Sequence, residues 1–300
     1  MKLPDYPFTA WRFEVRPGIA MSYLDEGPRD APVVLMLHGN PSWNFYWRHL
    51  VLALRERYRC IVPDHVGMGL SDKPDDAPDA SPRYVYTLES RIADLTRLLD
   101  KLEIDEPLTL AVHDWGGMIG FGWAQAHARQ VARLVITNTA AFPLPAAKSL
   151  PWQLRFGRDS KLGALAIRRF NAFAAGAARQ GVVRPMTPEV RAAYVAPYDS
   201  WRNRIATLRF VQDIPLRESD AAFARVAAAG KRLHGFADRP AIIGWGLKDF
   251  VFDHLFLEGF ARALPNAEVH AYADAGHYVM EDKHEVLAPA IRAFLDRTQA

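Results

Sequence analysis

The sequence predicts an α/β fold in which a mostly parallel sheet is covered by helices on both faces and a helical insertion interrupts the chain. Three observations predict it. Short apolar runs alternate with segments of helical spacing through residues 31–137. That rhythm stops from about Ala140 to Gly230, where helical and loop signals continue without a convincing buried strand. It resumes at Ala241 and runs to the last helix.

In order, Ala31 to Leu37 reads as a buried strand closed by His38-Gly39, and Phe45 to Arg57 has helical spacing. Arg59 to Val62 is a second buried strand, ended by Pro63-Asp64. Thr87 to Lys101 reads as an amphipathic helix capped by Thr87, with Ile92, Leu95, Leu98, Leu99 and Leu102 along one face. Leu108 to Val112 is a strand, Trp115 to Ala128 a helix and Val131 to Thr137 a strand. After the insertion come a strand (Ala241 to Trp245), a helix (Phe252 to Leu264), a strand (Ala267 to Tyr272) and a helix (Asp282 to Arg297). Strands alternating with helices at this spacing imply right-handed crossovers and a parallel sheet. We therefore expect core segments at residues 1–139 and 231–300, with a helical cap at 140–230 over the carboxyl ends of the strands, where such sheets bind ligands.

The 300 residues are half apolar, ample for a large core. A formal charge of +3 is spread along the chain rather than blocked into runs, which reads as a solvated surface and not as a nucleic-acid site. The single cysteine, Cys60, excludes an intrachain disulfide and suits a reducing compartment. No secretory signal is visible from Met1 to Glu14, and no apolar run approaches the ~20 residues of a membrane span. A cytoplasmic protein is expected.

Chemistry concentrates at Val112-His113-Asp114-Trp115-Gly116-Gly117, between an apolar strand and a helix. That is the context of a nucleophile elbow in the α/β-hydrolase fold, with Asp114 where serine usually stands and Val112 in place of the first glycine. The other reading of Asp114 is an ordinary helix N-cap. His38-Gly39-Asn40-Pro41 follows the first buried strand, in the place of the loop that supplies oxyanion-type N–H groups. Asn40 and Trp115 also carry side-chain donors, so together they make a candidate anion site. His277 follows the last strand, which fits the chain order nucleophile, acid, histidine. The orienting acid falls to Asp249, after the strand ending at Trp245; the rival loop, Asn138-Thr139-Ala140-Ala141, holds no carboxylate. No metal-ligand spacing is present, and no cofactor is expected. A carboxylate is already ionised at neutral pH, and it can displace a leaving group from saturated carbon to form an alkyl ester.

With these residues in hand, the sequence resembles the haloalkane dehalogenases. The resemblance implies that Asp114 attacks carbon, that Asn40 and Trp115 bind the departing anion, and that His277 activates water. Epoxide hydrolases share the elbow and use two cap tyrosines, for which Tyr194 and Tyr198 are candidates. A closer resemblance covers nearly the whole chain. Val62 to Pro74, Thr137 to Pro145, Tyr194 to Asp199 and Glu281 to Val286 look like the olefin-biosynthesis β-lactone decarboxylases, a dehalogenase-like branch. That implies conversion of cis-3,4-dialkyl-β-lactones to cis-alkenes and CO2, the last step of bacterial long-chain hydrocarbon synthesis, in association with the preceding enzymes of the pathway. Trp152, Phe156, Phe170, Phe173 and Phe210 are candidates for an apolar substrate pocket or for cap core. Arg168, Arg169, Arg202 and Arg204 are candidates for a docking face or a solvated one.

Overall fold

The computed structural model describes residues 3–299. It opens on a hairpin that the sequence reading passes over: β1 (Trp11–Arg16) pairs antiparallel with β2 (Ile19–Glu26). The turn between them is Pro17-Gly18, where Gly18 takes φ +69°, a conformation that costs glycine little. Next come β3 (Val33–Leu37), a 3-10 turn at Asn44–Trp47, α1 (Arg48–Leu54) and β4 (Arg59–Pro63). α2 (Leu88–Lys101) is capped by the Thr87 hydroxyl, which accepts the Ser90 N–H. β5 (Leu108–Asp114) leads directly into α3 (Trp115–Ala124), and β6 (Val131–Thr139) follows.

Between β6 and the next strand the described chain is helical: α4 (Trp152–Asp159), α5 (Lys161–Phe170), α6 (Ala172–Gln180), α7 (Pro188–Val195), α8 (Ile205–Gln212) and α9 (Phe223–Arg232). Of these, α9 packs against α3, with Gln125 Nε2 donating to the Arg225 carbonyl at 3.2 Å. The core then resumes with β7 (Ala241–Gly246), α10 (His254–Ala263), β8 (Glu268–Tyr272) and α11 (Val279–Arg297).

The eight strands form one sheet in the order β1-β2-β4-β3-β5-β6-β7-β8. All pairings from β4 to β8 are parallel, and the hairpin closes one edge antiparallel. Burial on both faces explains the unbroken apolar runs of β3 and β5. Along β3, Val34 and Met36 join one core cluster while Leu35 and Leu37 join the other, so the sheet divides the core in two. The order reverses between β3 and β5: from β3 the chain moves outward to β4, and from β5 it moves the other way. Such a switch point leaves a crevice at the carboxyl ends of the two strands. Asn40 follows β3 and Asp114 ends β5, so the topology alone brings them together.

Candidate active site

Asp114 has φ +51° and ψ −126°, a left-handed conformation that costs a non-glycine residue about 1–3 kcal/mol. Asp114 is the N-cap residue of α3 by position, but its side chain makes no capping hydrogen bond there. Small neighbours permit the sharp turn. A Cβ on Gly116 would collide with the Leu37 carbonyl, and one on Gly117 with the Thr139 hydroxyl and the Ala140 carbonyl. On Gly39 it would meet the Asp114 carboxylate itself. Thr139 Oγ1 donates to the Asp114 carbonyl at 2.5 Å and fixes the elbow from β6.

The two carboxylate oxygens differ. The Asn40 backbone N–H donates to Oδ1 at 2.5 Å, while Oδ2 lies 3.6 Å from His277 Nε2. The Asn40 backbone N–H, expected to face a leaving group, therefore binds the Asp114 carboxylate itself. Burial raises the Asp114 pKa above the ordinary carboxylate value, against the opposing charge of His277 and the N–H groups of Asn40 and Trp115. His277 Nδ1 is 2.8 Å from Asp249 Oδ2. Burial alone would depress the imidazole, but Asp249 and then Asp114 carry its pKa above the usual histidine value. The two carboxylates thus favour the charged form of the imidazole, against its burial.

Two further residues shape this arrangement. Asn138, in the loop set aside for lacking a carboxylate, donates from Nδ2 to Asp249 Oδ2 and to the Gly246 carbonyl, each at 3.0 Å. Its Oδ1 accepts the Gly246 N–H at 2.8 Å. An amide that cannot ionise can still hold a carboxylate in place. His113, buried and stacked on Tyr46 at 3.9 Å, lies with Nε2 3.0 Å from the His277 carbonyl. Burial keeps His113 neutral, with its pKa well below the ordinary value.

Above these residues lies a cavity of about 360 Å³. Asp114, Asn40, Trp115 and His277 line its floor, and its walls are otherwise almost wholly apolar. Asn40 Nδ2 donates to the Thr207 carbonyl of α8 at 3.1 Å, which ties the loop after β3 to the cap. Its Oδ1 is buried without a protein partner among the described residues. Of the cap aromatics, Trp152, Phe156 and Phe173 line the cavity. Phe170 is exposed, and Phe210 is core, packed on Trp115 with centroids 5.3 Å apart. The two tyrosines suited to epoxide activation are engaged elsewhere. Tyr194 donates to Glu281 Oε1 at 2.5 Å and Tyr198 to the Ser42 carbonyl at 3.3 Å, and neither lines the cavity.

The profile of the family described as "alpha/beta hydrolase fold" matches residues 32–284. The chain belongs to that family. Within it, the chain is 66% identical over 297 residues, 99% of each chain, to a cis-3-alkyl-4-alkyloxetan-2-one decarboxylase of Xanthomonas campestris pv. campestris. A protein of the same name from Shewanella oneidensis is 50% identical over 96% of this chain and 88% of its own. Among solved structures, a haloalkane dehalogenase from Bradyrhizobium elkani superposes with a TM-score of 0.85 at 26% identity, covering 97% of this chain and 98% of that one. This member of the α/β-hydrolase family thus shares its architecture with a dehalogenase and two thirds of its sequence with the Xanthomonas protein.

Proposed function

We propose that this enzyme decarboxylates cis-3,4-dialkyl-β-lactones to cis-alkenes and CO2, with Asp114 as nucleophile. One observation carries the reading: a buried carboxylate, with one oxygen held by an N–H and the other beside His277, forms the floor of an otherwise apolar cavity in a chain 66% identical to a protein named for that reaction.

Asp114 attacks the ring carbon that bears the lactone oxygen, and that carbon–oxygen bond breaks. The freed carboxylate takes its place against the Trp115 indole N–H and the Asn40 Nδ2 hydrogen that is not donated to Thr207. Attack inverts the carbon, so the new ester oxygen stands anti to the carboxylate-bearing bond. The electrons of that bond form the double bond as CO2 departs, and the ester oxygen leaves with its pair to regenerate Asp114. Inversion followed by anti elimination turns a cis ring into a cis alkene. No water enters. His277, oriented by Asp249, balances the charge that Asp114 loses and regains in each cycle.

We further assign the enzyme to a reducing compartment such as the cytoplasm, which the lone buried thiol of Cys60 supports, and to an association with the enzymes that make its lactone. Incubation with a synthetic cis-β-lactone in H₂¹⁸O tests the reaction. Alkene and CO2 should appear without ¹⁸O entering Asp114. Halide release from a haloalkane, with no alkene from the lactone, would instead support the dehalogenase reading that the shared architecture favours.

A further inference from the structure

The outer face of the cap carries apolar side chains that folding leaves uncovered. Trp152 and Phe156 stand one turn apart on α4 and are 72% and 42% exposed. Leu162, Leu165 and Phe170 follow on α5, at 69%, 44% and 69%. These five large apolar residues fall within 19 positions, on two helices that pack against each other. Trp152 and Phe156 also line the cavity, so the patch is continuous with its mouth. Exposed aromatic and leucine clusters of this kind mark interaction surfaces.

Charge identifies the partner. Residues 152–170 hold five Arg or Lys (Arg155, Arg158, Lys161, Arg168, Arg169) against one acid, Asp159. That is a formal +4, whereas the whole chain carries +3, so the remainder carries −1. No long basic run marks the excess in the sequence; it lies on the same two helices as the exposed apolar residues. Arg158 is spent internally on Asp159 and Asp220, while Arg155, Lys161 and Arg169 are exposed. Aromatic and leucine side chains interleaved with basic ones, on short helices lying in the surface, are the features of interfacial membrane binding. No helix among the described residues is long and apolar enough to cross a membrane.

We infer that the α4–α5 face of the cap docks on an anionic lipid surface and opens the cavity directly to the bilayer. One part of this rests on the function proposed above: a long-chain lactone and its alkene are both lipid-soluble, so exchange through the bilayer avoids water. The patch and its charge stand without it.

Co-sedimentation of the full chain with vesicles tests the inference. Binding to phosphatidylglycerol-rich vesicles should exceed binding to phosphatidylcholine vesicles and weaken at high salt. The triple variant Leu162→Ser, Leu165→Ser, Phe170→Ser should lower the partition by about ten-fold or more. Arg155→Glu, Lys161→Glu, Arg169→Glu together should lower it by about a hundredfold. Both triples should keep the wild-type melting midpoint and their turnover of a short-chain, water-soluble lactone. Absence of binding to phosphatidylglycerol vesicles, or binding unchanged in both triples, overturns the inference. Because binding needs no turnover, a protein that binds vesicles but makes no alkene would sink the proposed reaction and leave the surface assignment standing.

Discussion

Asp114 stands where activity and stability conflict. Burial raises its pKa, so the folded state prefers the protonated acid. The stability this group confers is full below the ordinary carboxylate pKa and is lost as pH rises through the folded value. At neutral pH its ionised form is therefore a net cost to folding, added to the strain of its positive φ. Asp114→Asn keeps the shape and removes the charge. It should abolish turnover, by ~10⁴-fold or more, while raising the melting midpoint by about 2–4 °C for each kcal/mol recovered. A lower midpoint in differential scanning calorimetry would show that the charge is compensated in the fold. The acid limb of the activity profile should also lie above the ordinary carboxylate range, because the proposed attack needs Asp114 ionised. His277 titrates with the opposite sense. Its raised pKa means that its contribution to stability is full below the ordinary histidine value and is lost as pH rises through the folded one. It also separates the two chemistries. In a hydrolase, losing the histidine strands the alkyl ester, because no base activates water. If the ester instead collapses by losing CO2, His277→Gln should slow turnover without accumulating a covalent adduct on Asp114. Intact-protein mass spectrometry after mixing with lactone reads this directly, and a persistent adduct would return His277 to water activation.

At the scale of elements, the alternating core and the elbow were legible because burial and chain direction write themselves into residue type. β3, β5, β6 and β7 lie between two helical layers and so read as continuous apolar runs. The β1–β2 hairpin was overlooked although Trp11-Arg12-Phe13-Glu14-Val15 alternates with period two; at a sheet edge, alternation replaces the run. α3 is shorter than the helix expected from Trp115 to Ala128. Its end at Ala124 gives way to a 3-10 turn at Ala128–Gln130 before β6, and residue spacing does not separate those two geometries. Asn138 was missed for another reason. Its role depends on β6 and β7 lying side by side, which brings its amide to Asp249 across 111 positions of sequence. Asn138→Leu leaves Asp249 with one partner fewer and frees the imidazole to shift. A misplacement near 1 Å costs about 10²-fold, so kcat should fall by that order with KM little changed. A merely structural role would lower the melting midpoint and spare kcat per folded molecule. The elbow glycines make a harsher case. Gly117→Ala forces a methyl into the Thr139 hydroxyl and the Ala140 carbonyl, and neither can yield without moving β6. A destabilisation of about 3 kcal/mol or more should follow, visible as a lower urea midpoint.

Across the whole molecule, the cavity is what the sequence concealed. Its floor comes from residues as far apart as Asn40 and His277, and its walls come from α4, α5 and α6 of the insertion. Side-chain type alone left Trp152, Phe156 and Phe173 indistinguishable from Phe170 and Phe210, because an apolar residue can face a cavity, the solvent or the core. Only the packing of α4 through α6 over the strand ends separates them. That packing leaves one position where the cavity can be narrowed without strain. Gly176 lines it from α6, and a Cβ there would meet nothing within 4 Å. Leucine at 176 would extend into the space offered to substrate, and in a helix it is favoured over glycine by about 1 kcal/mol. Gly176→Leu should therefore hold or raise the melting midpoint while selecting against bulk in the substrate. Each methylene that loses its place in an apolar pocket costs about 1–3 kcal/mol of transition-state binding. With a series of cis-β-lactones of increasing chain length, kcat/KM of the variant should track the wild type for the shortest members and drop by ten-fold or more at the length whose chain first reaches α6. A uniform loss at all lengths would mean that the change disturbs Asp114 and not the chain-binding wall. No loss at any length would mean that the alkyl chains leave the cavity by another path, past Trp152 and Phe156 toward the exposed face of the cap.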